Sequence, residues 1–284
     1  MSNLILYAVP FFFLLIAIEL VVDQRRKANT YHLADAVTSL SLGTLSQITG
    51  VFGKLIFIGL YAFVLNRFAL FELSAQNAWV WIGAFIAYDF FYYWNHRMGH
   101  EINVLWAAHV VHHSSEDYNL TTALRQTSSG FLFGWIFYVP MALAGVPLPV
   151  FVTVAALNLL YQYWIHTQHI GRLGWFDRWF ASPSNHRVHH GQNDYCLDRN
   201  YGGVFMIWDR MFGSFVEERD DEKIIYSWSR PVKNISHNLL THHNLRHFTT
   251  GQENGLGRLA ILRYCCATRQ LPRWSVTSWM DVTG

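Results

Sequence analysis

Trp94-Asn95-His96-Arg97-Met98-Gly99-His100-Glu101, followed by His109-Val110-Val111-His112-His113-Ser114-Ser115-Glu116, is the stretch around which the chain is arranged. It runs on directly from an apolar, aromatic segment, Trp79 to Trp94. On a helix, His96 and His100 lie one turn apart on one face, and so do His109, His112 and His113. The same spacing returns at His186-Arg187-Val188-His189-His190. Eight imidazoles so arranged read as metal ligands. At 15 histidines in 284 residues, one His-x-x-His-His arises by chance about 0.04 times. Two copies, the first preceded by His-x-x-x-His, are not an accident of composition, and buried core histidines do not account for them.

Apolar residues make up 52% of the chain, aromatic ones 17% and charged ones 14%. A soluble domain carries about 25% charged residues, so charge is depleted. Mean hydropathy is nevertheless only slightly positive, too low for a pure membrane bundle. A membrane-embedded part joined to a polar part satisfies both. The net charge of +2 gives no reason to expect nucleic acid as a partner. Cys196, Cys265 and Cys266 lack zinc-type spacing and two are adjacent. That points away from a disulfide framework and towards a reducing compartment.

Asn3 to Val22 is an apolar run with one acid, Glu19, followed by Asp23-Gln24-Arg25-Arg26-Lys27. About 20 apolar residues span a bilayer. The run lacks the charged start and small-residue cleavage site of a signal peptide. It reads as a transmembrane helix with its N-terminus outside and its basic end in the cytoplasm. Residues 35–50, rich in Ser, Thr and Gly, read as a re-entrant or interfacial segment. Leu55 to Leu70 then returns outward and Trp79 to Trp94 comes back inward. Phe131 to Val146 and Pro149 to Ile165 read as a hairpin broken at Gly145-Val146-Pro147-Leu148-Pro149, which returns the chain to the same side at His166. Every histidine motif thus falls on the cytoplasmic face. Leu173 to Phe180 looks amphipathic and suited to the membrane surface. Ser182-Pro183-Ser184-Asn185 is a helix start that would launch His186, His189 and His190. The expected fold is an all-α integral membrane protein with about four transmembrane helices and a cytosolic helical cap holding a di-metal site. Residues 1–74 would form the N-terminal transmembrane helices, 75–218 the catalytic core and 219–284 a polar tail.

Imidazole suits Zn, Cu, Fe and Ni. Eight ligands exceed what one ion takes, so two ions are implied. Structural zinc usually uses Cys, electron-transfer copper wants Cys or Met, and soluble di-iron bundles rely on Glu. A nearly all-imidazole site leaves two ferrous ions strongly cationic. That suits an oxygen-activating centre that binds O2 and attacks a C–H bond, with aromatic walls admitting a lipid chain and excluding water. A histidine-rich metal-binding or transport protein without redox chemistry is the alternative. Transporters place ligands near the bilayer midplane, whereas here they gather at one face. A membrane zinc hydrolase is a third reading.

The three motifs, in this order between hydrophobic hairpins, resemble the fatty acid hydroxylase/sterol desaturase superfamily of membrane di-iron oxygenases, over roughly residues 75–218. The resemblance is closest to its alkylglycerol monooxygenase branch. It is carried by Leu105-Trp106 through Asn119, by Thr122 to Gln126, by Tyr161 to Thr167, by Ser182 to Gly191, and by Asn200-Tyr201-Gly202-Gly203 with Ile207 to Gly213. The resemblance implies that the eight histidines hold iron, that Glu101 is a functional acid, that O2 is a substrate, and that an external reductant, tetrahydrobiopterin for that branch, supplies electrons. It implies a lipid substrate oxidised by hydroxylation; desaturation is the alternative within the superfamily. Gln168 and His169 depart from that branch, which carries Glu after the His-Thr pair.

His166 emerges at the site face and is a ninth candidate ligand, the alternative being an interfacial histidine. His169 sits near one turn further on. Glu101, Asp194 and Asp198 are candidates to orient a ligating imidazole, because such rings usually donate to a carboxylate. Arg125 and Gln126 are candidates to steer substrate or cofactor, or else to cap a helix. Asn200 to Gly203 reads as a turn. His237, His242, His243 and His247 form a second cluster in polar surroundings that the resemblance does not reach.

Overall fold

A computed structural model describes residues 3–226. Among these the protein is helical, with one isolated antiparallel bridge, Phe180 to Phe205, and no strand. The helices are α1 (Asn3–Arg26), α2 (Leu33–Phe68), α3 (Ala78–Glu101), α4 (Asn103–His109), α5 (Leu120–Leu124), α6 (Val139–Leu143), α7 (Leu148–Tyr163), α8 (Pro183–His190) and α9 (Ile207–Met211). The second histidine cluster, Cys265 and Cys266 lie outside the described residues.

Among the described residues two helices are long and apolar enough to cross a membrane, Tyr7–Arg26 within α1 and Leu33–Phe68. Only 17% and 11% of their apolar windows are buried, so they are not core helices of a soluble protein. Phe11, Phe13, Leu14 and Ile18 on α1 and Ile48, Phe52, Leu55 and Ile56 on α2 face outward. Outward apolar belts of this size mark a lipid-facing surface. The protein is membrane-associated.

The Ser/Thr/Gly-rich residues 35–50 are not a separate re-entrant segment. They are the first turns of α2, which runs unbroken for 36 residues. The hydroxyls of Thr38, Thr44 and Thr49 donate to the carbonyls of Ala34, Leu40 and Leu45, satisfying themselves on their own helix. Phe131 to Val146 is likewise not one arm of a helical hairpin. It breaks into 3-10 turns at Gly130–Leu132 and Gly134–Tyr138 and the short α6. Pro140, which has no backbone N–H, sits in the first turn of α6. The turn at Gly145 does form, at φ +82°, and a Cβ there would lie 1.8 Å from the Phe71 carbonyl oxygen, so only glycine fits.

The main core gathers Tyr61, Ala84, Tyr138, Met141, Val150, Phe151 and Val154, where α2, α3, α6 and α7 meet. A second core joins α1 to α5 and α7 through Ile16, Leu120, Ala123 and Tyr163. The end of α3, with α4, the 112–114 turn, the end of α7 and α8, then converges on one volume.

Candidate metal centre

Nine imidazoles meet there in two groups, His96, His100, His109, His113 and His189 in one and His112, His166, His186 and His190 in the other. Within each group the potential ligand atoms all lie within 4.8 Å of one another. His166 is thus brought in with the motif histidines. His169 is not; its ring approaches Asp23 and Thr30.

The local structure decides who joins whom. His96 and His100, one turn apart on α3, serve one group. His109, His112 and His113 do not share a helix face as expected. α4 ends at His109, and His112 and His113 sit in a 3-10 turn. His109 and His113 join the five-histidine group and His112 the other. On α8 the partition is reversed: His186 and His190 join the four-histidine group and His189 the other. That helix starts as expected, with Ser182 capping through the Asn185 N–H and Pro183 at its first position.

Ring orientation comes from backbone carbonyls. Nδ1 of His96, His112, His166 and His189 faces the carbonyl oxygens of Tyr201, Arg125, Gln162 and Arg199 at 2.8, 2.9, 2.9 and 2.9 Å. A carbonyl only accepts, so each Nδ1 carries the proton and each Nε2 presents a lone pair. In the four-histidine group the Nε2 atoms of His112 and His166 then face each other at 3.3 Å, two acceptors with nothing to share. In the other group His189 Nε2, and in the first His190 Nε2, are buried without a hydrogen-bond partner.

A proton between such nitrogens would create a buried imidazolium. Burial opposes that: it holds His112 down at about 4, with the Arg125 charge adding to the effect. His113, His186, His189 and His190 are all pushed well below the ordinary value, first by burial and then by neighbouring imidazoles. Neutral rings with converging lone pairs, in places that disfavour protonation, are what a divalent metal needs. The donor set fits metal in both groups. Aromatic walls close them: Tyr118 lies against His166 and His190, and Tyr201 against His96, His100 and His189.

The other residues singled out from the sequence lie as follows. Glu101 pairs with Arg97 at 2.8 Å rather than with an imidazole. Asp198, at φ +56°, approaches His100 Nδ1 at 3.8 Å. Asp194 is exposed. Arg125 is fully buried and holds Asp35 at 2.6 Å, Ser39 and Ser114. It touches the site through its carbonyl, on His112 Nδ1, while its charge is held by Asp35. Gln126 donates locally to the Ala123 carbonyl.

Sequence reasoning missed two buried acids that hold the backbone around these carbonyls. Asp209, buried, accepts from the N–H groups of Tyr201 and Gly202 and from Ser214. Asp89, on α3, accepts from Asn158, Val204, Phe205 and Trp208. An acid inside an apolar helix is a signal in its own right, and Asp89 carried it.

Residues 81–214 match the fatty acid hydroxylase family. Alkylglycerol monooxygenase from Homo sapiens is 45% identical over 239 residues, covering 84% of this chain and 53% of the human protein. Its counterpart from Xenopus tropicalis is 45% identical over 225 residues, covering 79% of this chain and 50% of that protein. An ornithine lipid hydroxylase from Rhizobium tropici is 34% identical over 135 residues, 47% of this chain and 40% of its own length. The chain spans about half the length of the alkylglycerol monooxygenases it matches. No solved structure matches it. All nine clustered imidazoles lie inside the matched interval, so the part of the chain that matches the fatty acid hydroxylase family is the part that holds the centre.

Proposed function

We propose that the protein is a membrane-bound, O2-dependent lipid monooxygenase whose nine histidines hold two iron ions. The observation that carries this is the pair of lone pairs facing each other on His112 and His166, in a buried group of four imidazoles beside a group of five. The first would hold one ion through His112, His166, His186 and His190, the second through His96, His100, His109, His113 and His189. Bound iron supplies the reduction of O2 and the insertion of one oxygen atom into a C–H bond, the other oxygen leaving as water after two electrons and two protons arrive.

The chain's own residues do the rest. Carbonyls of Tyr201, Arg125, Gln162 and Arg199 fix four rings in one tautomer. Tyr118 and Tyr201 keep water off the imidazoles. Outward apolar faces on α1 and α2 hold the site beside lipid, the phase in which the substrate dissolves. The named relatives support an alkylglycerol as substrate. Hydroxylation beside its ether oxygen would give a hemiacetal, which falls apart to an aldehyde and an alcohol. The reductant is external, with tetrahydrobiopterin the candidate. The basic end of α1 and the side on which the histidines gather support an outside N-terminus and a cytoplasmic metal site.

The test is metal analysis and O2 uptake on purified full-length protein, given a 1-O-alkylglycerol and tetrahydrobiopterin. Near two irons per chain and lipid-dependent O2 uptake with aldehyde release are expected. Zinc alone after expression in iron-replete cells, with no O2 uptake under any reductant, would overturn the reading.

A further inference from the structure

The family match begins at residue 81, yet the four-histidine group is braced from before it. α2 is about 54 Å long at 1.5 Å per residue, well beyond the roughly 30 Å of a bilayer core. The excess brings Asp35, in its first turn, onto the site. The Asp35 carboxylate takes Arg125 Nη2 at 2.6 Å and the hydroxyl of Ser115, and its Oδ1 faces the Glu116 N–H at 3.4 Å. It therefore grips the residue whose carbonyl sets the His112 ring and the end of the turn that carries His112 and His113; it is His112, not His113, that takes the Arg125 carbonyl. Ser39, one turn along α2, holds Arg125 Nε at 3.0 Å.

α1 does the same for His166. Glu19 is buried in the apolar helix and accepts from the Thr167 hydroxyl, the Tyr31 hydroxyl and the Leu120 N–H. Thr167 is the residue after His166. Both acids thus serve the two imidazoles whose lone pairs face each other. The five-histidine group is braced differently. Its His96 leans on the Tyr201 carbonyl, fixed by Asp209 from within the matched interval.

We infer that Asp35 and Glu19 are positioning residues for the four-histidine group, setting how tightly it takes metal while leaving the five-histidine group unchanged. This rests on the two-ion reading above. Neither acid reaches an imidazole: Asp35 acts through Arg125, whose carbonyl meets the His112 ring, and Glu19 through Thr167, which is joined to His166 by a peptide bond. Removing an outer partner of a ligating histidine costs about 10–100-fold in metal affinity, and that loss should fall on one ion of two.

The experiment is a Zn2+ titration of metal-stripped, full-length protein in nanodiscs, with bound zinc counted by mass spectrometry. The parent should take two ions. Asp35→Asn should take one ion as before and the second at least about tenfold more weakly, with Asp35→Glu recovering part of the loss. In a His186→Ala background, which spoils the four-histidine group, Asp35→Asn should change nothing further. In a His100→Ala background it should weaken the remaining ion. Equal weakening of both ions, or a further loss on top of His186→Ala, would mean general destabilisation and overturn the inference. Two ions bound at parental affinity by Asp35→Asn would overturn it equally. If Asp35→Asn does not yield folded protein, Glu19→Gln carries the same comparison. A parent that takes no metal would sink the two-ion reading itself, a result distinct from two ions bound without regard to Asp35.

Discussion

His112 and His113 share a peptide bond but belong to different imidazole groups. So do His189 and His190. His112→Ala and His189→Ala should therefore each lower bound iron from about two ions to about one, from opposite groups, and each should abolish turnover. Full turnover in either variant would contradict the assignment. The same residues set an acid limit. Burial holds His112 down at about 4 and drives His113, His186, His189 and His190 well below 6.5. In the unfolded chain they protonate near 6.5. Between these values the unfolded state binds more protons, so stability is complete above about 6.5 and falls as pH drops towards 4. Metal-free protein should melt at a clearly lower temperature at about pH 5 than at about pH 7.5; equal melting temperatures would contradict the buried, neutral state. Bound metal should leave in the same window, because protons compete for the same nitrogens.

The helices divide into those legible from the sequence and those not. α1, α3, α7 and α8 stand close to where apolar runs and the Ser182-Pro183 start placed them. The eight motif histidines were visible because their types and spacing are rare. Their sorting into two groups was not, because an ideal helix puts i, i+3 and i+4 on one face. The chain instead leaves the α-helix after His109 and turns through 3-10 geometry at His112. The carbonyls of Gln162, Arg199 and Tyr201 were invisible because a backbone acceptor has no residue signature. The continuity of α2 was hidden by hydroxyls that look like breakers and bond instead to their own helix. Close helix contact did leave a mark: a Cβ on Gly43 would stand 2.3 Å from the Leu124 carbonyl oxygen. Gly43→Ala should push α2 off α5 and cost about 1–3 kcal/mol, in the range of overpacked cores. Thermal or denaturant unfolding would measure it, and an unchanged midpoint would mean that the two helices separate freely.

At the scale of the whole molecule, the reading with the metal site on the cytoplasmic face makes a topological demand. In a background with Cys265 and Cys266 replaced by Ser, a cysteine at Gln76, in the exposed loop between α2 and α3, should react with an impermeant maleimide added outside intact cells. A cysteine at Asp194, exposed beyond α8, should react only after the membrane is opened. The reverse pattern would invert the molecule. Lipid flexing α1 and α2 would strain the outer braces of one group, but two pairs of chain neighbours, His112 with His113 and His189 with His190, straddle both groups, their rings 5.3 Å apart in each pair. Successive Cα atoms stay about 3.8 Å apart whatever the helices around them do. The two imidazole groups are thus tied to each other by peptide bonds, so on the two-ion reading a breathing membrane would loosen the grip on one ion while the backbone linking the groups keeps its length.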